Sequence, residues 1–317
     1  MFTPITLILP PMLMLVYCLV IVCGSLAGGI IPLLVRMTHT RLQLTLSFVG
    51  GAMLGVAILH LLPHACYELG SIQYTVGWLL GGFLFMFFIE RVFHFHHHDT
   101  PADSADHDHH HDHDAEPAAH AGHEHPAPPR ALGWQVAVIG LSLHSALDGV
   151  ALAAAVASEA HEAVPGGLAG LVVFLVVALH KPLDSMTLGA LLAMGEHSPA
   201  RRHLINGLYA LTVPLGVGLF HLGIDRGGAA ATATIGAALA FTAGTFLCIA
   251  TSDLLPELHF HRHDRFKLSA ALLLGVALAA GLVMVEESWH DHSAASEHSH
   301  SSHAEHDHNH EPHEHGH

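Results

Sequence analysis

The chain of 317 residues carries a formal net charge of −16, with 12% charged residues against 51% hydrophobic ones. That charged share is about half of the usual one, which argues against a soluble multidomain protein of this length. With 11 Lys and Arg against 27 acids, the chain has no basic face for nucleic acid, so we expect no nucleic-acid partner.

Histidine is concentrated in two polar tracts. Of the 35 histidines, 12 lie within 94–125 and 11 within 290–317. The tracts also hold 14 acids and no Lys or Arg, so they carry −14 of the charge and the remaining body only −2. With little apolar content they should be disordered without metal. Their imidazoles suit a zinc buffer or sensor, and a solubilising linker without a metal role is the alternative.

Eight apolar runs are long enough to cross a bilayer, which takes about 20 helical residues. We therefore predict an all-α, polytopic membrane protein with eight transmembrane helices. The predicted spans are 6–35, 42–65, 73–93, 131–157, 166–194, 204–224, 229–252 and 267–286. The chain then divides into spans 1–3 (1–93), a His-rich loop (94–130), spans 4 and 5 (131–194), spans 6–8 (195–289) and a His-rich tail (290–317).

Basic residues fall mainly on one side of these spans, and the positive-inside rule makes that side cytoplasmic. Both termini should then face outside and the 94–125 loop the cytoplasm, in a plasma or inner membrane. No basic residue precedes the first loop, so we expect no signal peptide. The nine cytoplasmic residues are Arg36, Arg41, Arg91, Arg130, Arg201, Arg202, Arg262, Arg265 and Lys267; Arg226 lies outside and Lys181 within a span.

An internal repeat links spans 2 and 7. Residues 57–64 read AILHLLPH and residues 250–257 read ATSDLLPE. Each segment ends the middle helix of three consecutive spans, span 2 of spans 1–3 and span 7 of spans 6–8. In the predicted topology these two helices run in opposite directions across the membrane. The pattern predicts inverted repeats of spans 1–3 and 6–8 around spans 4 and 5, a 3+2+3 arrangement typical of secondary transporters. A chance similarity between Leu-rich segments is the alternative.

Spans 4 and 5 each carry a histidine and an aspartate four residues apart: His144 and Asp148, then His180 and Asp184. Residues at this spacing share a helix face, and both pairs fall near the middle of their spans. A carboxylate at that depth is costly unless it is paired or bound to a cation. Two imidazoles and two carboxylates suit Zn²⁺ and tolerate Fe²⁺, Mn²⁺, Co²⁺ or Cd²⁺. A His–Asp hydrogen-bonded brace is the structural alternative.

These motifs resemble those of the ZIP (Zrt/Irt-like) divalent-metal transporters. The matching segments are HSALDG in span 4, HKPLDS in span 5, and HLLPH and DLLPE in spans 2 and 7, so the resemblance covers about 6–286. It implies eight spans, both termini outside, and a midplane transport site whose ligands are the two His–Asp pairs. It also implies a contribution from span 2, where Met53 and His60 lie seven residues apart on one face.

Some members of that family bind two metals side by side. They use a polar residue after the first histidine, an acid after the second, and an acid before the proline of span 6; here these positions are Ser145, Lys181 and Val213. Lys181 and Val213 cannot bind a cation. We therefore predict a single metal, with the Lys181 ammonium replacing the second metal's charge beside Asp148 or Asp184.

Four further polar residues lie where an ion would enter or leave. His64 and Glu68 lie at the predicted outer end of span 2, and Asp253 and Glu257 at the predicted inner end of span 7. They could pass the ion between bulk water and the midplane. Solvated helix ends without a transport role explain the same charges.

Together these patterns predict a transporter that takes up a divalent metal, Zn²⁺ first, with Fe²⁺, Mn²⁺ or Cd²⁺ as further candidates. Zinc is then a substrate, and we expect no organic cofactor and no enzymatic activity. Its partners would be divalent metal ions and the lipid bilayer, and a homodimer stays open. A cation-diffusion-type zinc exporter is one alternative, although those proteins usually have six spans. An intramembrane zinc hydrolase is the other, and it needs a separate general base.

Overall fold

The computed structural model describes residues 5–34, 38–94, 133–161, 168–194, 197–224, 228–260 and 265–304. Every regular element in these ranges is helical. Except for His94, which ends the third span helix, the predicted 94–125 loop lies outside them. The helices are α1 (Ile5–Leu34), α2 (His39–Val56), α3 (Leu62–Leu69), α4 (Ile72–His94), α5 (Gly133–His161), α6 (Leu171–Met194), α7 (Pro199–Ala210), α8 (Thr212–Gly223), α9 (Ala229–Phe260) and α10 (Arg265–Ala304).

Eight segments within the described ranges are long and apolar enough to cross a membrane, which confirms the predicted all-α polytopic class. Span 2 combines α2 and α3, span 6 combines α7 and α8, and each other span lies in one helix. Several ends differ from the prediction, because helices continue through polar turns that hydropathy does not register. Span 2 runs to Leu69 instead of 65, and α5 to His161 instead of 157.

The start of span 6 is set by a capping residue and a proline. Ser198 accepts a hydrogen bond from the Arg201 N–H at 3.4 Å, and Pro199 occupies the first turn, where its missing N–H costs nothing. The span therefore begins five residues before the predicted 204.

At the other end of the chain, α10 continues to Ala304, into the predicted disordered tail, since an existing helix removes the cost of nucleation.

The helices pack in four close pairs: α1 with α6, α2 with α10, α4 with α9, and α5 with α8. Glycines on both members let the backbones touch; a Cβ on Gly82 would overlap the Phe241 carbonyl, and one on Gly244 would overlap the Leu79 carbonyl. Direct backbone contact therefore fixes each pair. The reciprocal glycines are Gly28 and Gly189 in α1–α6, Gly51 and Gly275 in α2–α10, Gly82 and Gly244 in α4–α9, and Gly149 and Gly216 in α5–α8.

Helices α5 and α6 lie side by side in the interior, and α5 also packs on α9. Their buried side chains are apolar and mostly small: residues 151–155 of α5 and Val172, Val173, Val176 and Val177 of α6 are buried. By contrast, α4 and the span part of α10 are largely exposed. Polar side chains on α5 and α6 are therefore shielded from the lipid by surrounding helices.

A π turn, Ala57–Leu61, joins α2 to α3 without breaking the helix. The Leu62 N–H bonds to the Ala57 carbonyl, five residues back, just before Pro63, which has no N–H to donate. The extra residue in this turn carries His60 into the protein interior, where it is 2% exposed. Such turns are frequent at functional sites.

Candidate metal centre

The two predicted His–Asp pairs face each other across the contact between α5 and α6. His180 Nε2 lies 3.3 Å from Asp148 Oδ2, and His144 Nε2 lies 3.6 Å from Asp184 Oδ2. Within each helix the corresponding distances are 3.7 and 4.0 Å. One ligand atom from each residue lies within 4.8 Å of all the others. The four side chains, which form the His/Asp site, are thus brought together as the spacing predicted.

This spacing suits a small divalent ion. Zinc bonds of about 2.0–2.2 Å at tetrahedral angles separate neighbouring ligand atoms by about 3.3–3.6 Å. The four His–Asp distances run from 3.3 to 4.0 Å. These His–Asp distances and the ligand types therefore fit Zn²⁺.

The hydrogen bond of His180 to the backbone decides which of its nitrogens faces the site. Nδ1 lies 2.8 Å from the Val176 carbonyl, which can only accept, so Nδ1 carries the proton. A neutral His180 therefore presents the Nε2 lone pair to Asp148 Oδ2 at 3.3 Å. Two lone pairs at that distance repel each other. A proton on Nε2 or a metal ion between the two atoms removes the repulsion, and histidines at metal sites commonly donate their other N–H to a carbonyl in this way.

Lys181 already supplies one positive charge. Its fully buried Nζ donates to Asp148 Oδ2 at 2.8 Å and to Asp184 Oδ2 at 3.3 Å, so it contacts both aspartates. With neutral imidazoles, two carboxylates and one ammonium sum to −1. One divalent ion would bring the sum to +1. The other two positions noted in the sequence are also buried: Ser145 lies beside His144 in the chain, and Val213 lies in the apolar core.

Tyr209 of α7 is a site residue that sequence reasoning missed. Its buried hydroxyl donates to Asp184 Oδ2 at 3.4 Å, and Lys181 Nζ lies 5.3 Å from its ring centre. Tyrosine is not a usual ligand of zinc, and no motif surrounds it in span 6. The sequence therefore held no local signal for this contact.

The site is buried except at one ligand. The side chains of Asp148, His180 and His144 are 0, 3 and 5% exposed, whereas Asp184 is 19% exposed. Asp148 Oδ1 and His144 Nδ1 are buried without a hydrogen-bond partner. Unsatisfied buried groups cost about 1–3 kcal/mol each, so these two atoms call for a further partner such as an ion or a water molecule.

His60 does not join these four residues. Its Nε2 lies 3.3 Å from Glu159 Oε1 and its Nδ1 lies 3.2 Å from Glu286 Oε2, while Met53 packs in the apolar core. Neither glutamate was among the predicted residues. Glu159 could have been found, because it follows Asp148 by 11 residues, three helical turns, on the same face of α5.

Of the predicted entrance residues, His64 lies against His60 and Glu68 contacts α5. The ring of His64 is centred 4.7 Å from that of His60, and Glu68 Oε1 accepts a hydrogen bond from Ser158 Oγ at 2.7 Å. The side chains of the predicted exit residues, Asp253 and Glu257, lie outside the described part of the chain.

The family model described as ZIP Zinc transporter matches residues 12–283. The chain belongs to the ZIP zinc transporter family. It is 30% identical over 290 residues to the zinc transporters ZIP9-B and ZIP9-A of Xenopus laevis, and 28% identical to ZIP9 of Xenopus tropicalis. Each match covers 78% of this chain and 86% of the relative.

Membership of the ZIP family confirms the resemblance drawn from the motifs. The chain is an integral membrane protein and a metal transporter. This assignment favours transport over the hydrolase alternative, because ZIP proteins are transporters. It also removes the basis for the cation-diffusion-type alternative, which concerns a different family with a different number of spans.

Proposed function

We propose that this ZIP transporter takes up Zn²⁺ into the cytoplasm and binds it through His144, Asp148, His180 and Asp184. The observation that carries the proposal is the convergence of two imidazoles and two carboxylates inside the protein, with one ligand atom from each within 4.8 Å of the others. Zinc is favoured as substrate because the relatives are named zinc transporters. Nitrogen and oxygen ligands at this spacing also admit Fe²⁺, Mn²⁺ and Cd²⁺.

The site would hold one ion at a time. The ammonium of Lys181 contacts both aspartates and lies where a second cation would otherwise neutralise them. A second divalent ion would raise the formal charge of this buried site from +1 to +3, which a low-dielectric interior disfavours strongly. The lysine thus limits the stoichiometry of the site.

The helix pairs support the 3+2+3 arrangement. An inverted repeat would relate span 1 to span 6, 2 to 7, 3 to 8 and 4 to 5. Under this exchange the contact between spans 1 and 5 (α1–α6) corresponds to the contact between spans 6 and 4 (α8–α5). The same exchange turns the α2–α10 pair into the α9–α4 pair. An inverted repeat around α5 and α6 produces this relation. Alternating access would then open the His/Asp site first to one side and then to the other as these pairs shift.

The orientation follows from the basic loops. Both termini would face outside and the His-rich 94–125 loop the cytoplasm, so the two tracts lie on opposite sides of the membrane. Their histidines would collect Zn²⁺ at the outer side and receive it at the inner side. In this orientation the end of α5 and the start of α6 face outside.

Zinc flux into proteoliposomes of known sidedness tests the site. Wild type should carry ⁶⁵Zn²⁺ inward, and His144→Ala and Asp184→Ala should each abolish uptake. His221→Ala, an exposed histidine of α8, is the matched control and should transport normally. Undiminished flux in the two site variants would contradict the assignment of the site. Flux in the opposite direction would contradict the assignment of uptake.

A further inference from the structure

A second group of buried ionisable side chains lies away from the His/Asp site. His60 of the π turn, Glu159 of α5 and Glu286 of α10 form this group, termed the His60 cluster, and one ligand atom from each lies within 4.8 Å of the others. Glu159 follows Asp148 by 11 residues, which is about 16 Å along α5 at helical rise. The two groups are therefore separate.

The contacts of His60 favour a positive charge in the cluster. One ring nitrogen lies 3.3 Å from Glu159 and the other 3.2 Å from Glu286. A neutral imidazole has a single N–H, so one nitrogen would direct its lone pair at a carboxylate. A protonated imidazole satisfies both contacts, yet two carboxylates and one imidazolium still sum to −1 in a buried place. A divalent ion that replaces the added proton leaves a neutral imidazole and two carboxylates, so the charges sum to zero, and one ligand atom from each residue lies within 4.8 Å of the others.

Two further polar groups border the cluster. The hydroxyl of Tyr17 is buried without a hydrogen-bond partner and interacts electrostatically with Glu159 and Glu286. Its ring is held by stacking on Phe174 at a centroid distance of 4.1 Å. The ring of His64 lies against that of His60. A buried hydroxyl and a second imidazole thus lie beside the cluster.

The cluster is tied to both helices of the His/Asp site. Glu159 Oε2 accepts a hydrogen bond from the Gly170 N–H at 2.7 Å, which leaves Oε1 for the cluster. Gly170 has φ +73°, a conformation that glycine adopts without strain, and it directly precedes α6. An ion held by Glu159 would therefore pull on the end of α5 and the start of α6 together.

We propose that His60, Glu159 and Glu286 form a second divalent-cation site, where the metal halts before it reaches the His/Asp site. The proposal rests on the uptake function above, because in the proposed orientation an incoming ion meets this end of α5 first. It assigns His60 to this second site, whereas the sequence placed it among the midplane ligands. The carboxylates draw the ion out of the medium, and its release towards Asp184 follows.

A spectroscopic probe isolates this site from the His-rich tracts. In full-length His60→Cys protein in lipid nanodiscs, Co²⁺ should produce a thiolate-to-cobalt charge-transfer absorption that imidazoles cannot give. Wild type supplies the baseline, since it carries the same four native cysteines. His221→Cys is the matched control for a thiol on an exposed helix face, and it should add no saturable absorption. No absorption above wild type in His60→Cys would overturn the proposal.

Variants of the other two ligands decide whether the cluster acts as one site. Adding Glu159→Gln or Glu286→Gln to His60→Cys should weaken the Co²⁺ affinity about tenfold or more. If neither change weakens it, the thiol binds cobalt alone and the proposal is wrong. Adding Asp184→Ala should leave the absorption intact, so this readout stands even if the His/Asp site proves not to transport zinc.

Transport kinetics provide a second readout that needs no engineered thiol. Glu286→Gln in the otherwise native chain should raise the KM for ⁶⁵Zn²⁺ uptake about tenfold with little change in maximal rate, because capture is weakened while the His/Asp site is intact. An unchanged KM would count against the second site. The His60→Cys and Glu286→Gln proteins are compared with wild type only if each is monodisperse and unfolds at the wild-type temperature.

Discussion

The Lys181 ammonium lies 2.8 Å from Asp148 Oδ2, an oxygen that also lies 3.3 Å from His180 Nε2. The lysine therefore contacts one of the oxygens that would bind the metal. In the absence of metal it neutralises a buried carboxylate, and in its presence it competes for the same oxygen. One side chain thus both stabilises the site and lowers its affinity for a cation.

Removing the lysine charge should separate these two effects. In Lys181→Met both aspartates lose their buried partner, which costs about 3–5 kcal/mol, so the metal-free protein should melt at a lower temperature. Zinc should then raise the Tm by more than in wild type, because it no longer competes with the ammonium. Lys267→Met, which alters the exposed lysine of α10, is the control. Thermal unfolding with and without Zn²⁺ measures both effects, and an unchanged metal-free Tm would contradict the expectation.

Reversing the lysine charge should change the number of bound ions. In Lys181→Glu the three carboxylates sum to −3, and two divalent ions would restore the +1 that one ion gives in wild type. We expect about one more zinc per chain than in wild type, measured by elemental analysis of the full-length protein. Lys267→Glu should bind the wild-type amount. Equal zinc content in Lys181→Glu and wild type would weaken the single-ion argument.

The hydroxyl of Tyr209 should orient Asp184 for metal binding. Tyr209→Phe removes the donor that lies 3.4 Å from Asp184 Oδ2 and leaves the ring under Lys181 in place. Loss of a hydrogen bond to a ligand typically weakens metal affinity about tenfold or more, so the KM for ⁶⁵Zn²⁺ should rise by that factor. Tyr74→Phe makes the same change at an exposed tyrosine of α4 and should have no effect. A KM equal to that of wild type would leave Tyr209 with a packing role only.

The contact between α5 and α8 should tolerate no added methyl group. In Gly216→Ala the new Cβ would overlap the Ala146 carbonyl, which should destabilise the protein by about 1–3 kcal/mol and lower its Tm. Gly218→Ala lies two residues away on the same helix and meets nothing within 4 Å. It should keep or raise the Tm, since alanine favours helix. Equal melting of the two variants would show that the helices can separate without cost.

The 94–125 tract should act after transport. Replacing its 12 histidines by glutamine keeps its length and acids but removes the metal ligands. Initial zinc uptake should stay at the wild-type rate, while the plateau at high external zinc should fall because arriving ions are no longer bound at the inner side. Replacing the acids of the tract by amides, with the histidines kept, is the control. Wild-type uptake at every zinc level would count against a metal-handling role.

The sequence predicted the His/Asp site because its signal is local. A spacing of four residues fixes the relative directions of His144 and Asp148, and of His180 and Asp184, whatever surrounds their helices. Spans 4 and 5 are consecutive in the chain, so only a few packings of the two helices bring their His–Asp faces together. Helix number was predictable for a similar reason, since hydropathy depends on length and composition alone.

The placement of His60 could not be predicted in the same way. Its neighbours come from spans 4 and 8, so the contact depends on how far span 2 turns at its π turn and which helices touch through glycines. No pattern within span 2 contains that information. Glu159 was missed because the predicted end of span 4, at 157, stopped short of the last helical turn. Tertiary packing decided these contacts.

The uneven exposure of the four ligands imposes an order on dehydration. A hydrated zinc ion can first exchange a water for the partly exposed carboxylate of Asp184, since the other three side chains are almost fully enclosed. Each later exchange would replace a water with one of the three buried donors. The hydration shell is then removed stepwise, so no single step has to bear the full desolvation energy of a divalent ion. Ions that exchange water slowly would be disfavoured by rate, even where the four ligands fit them equally well.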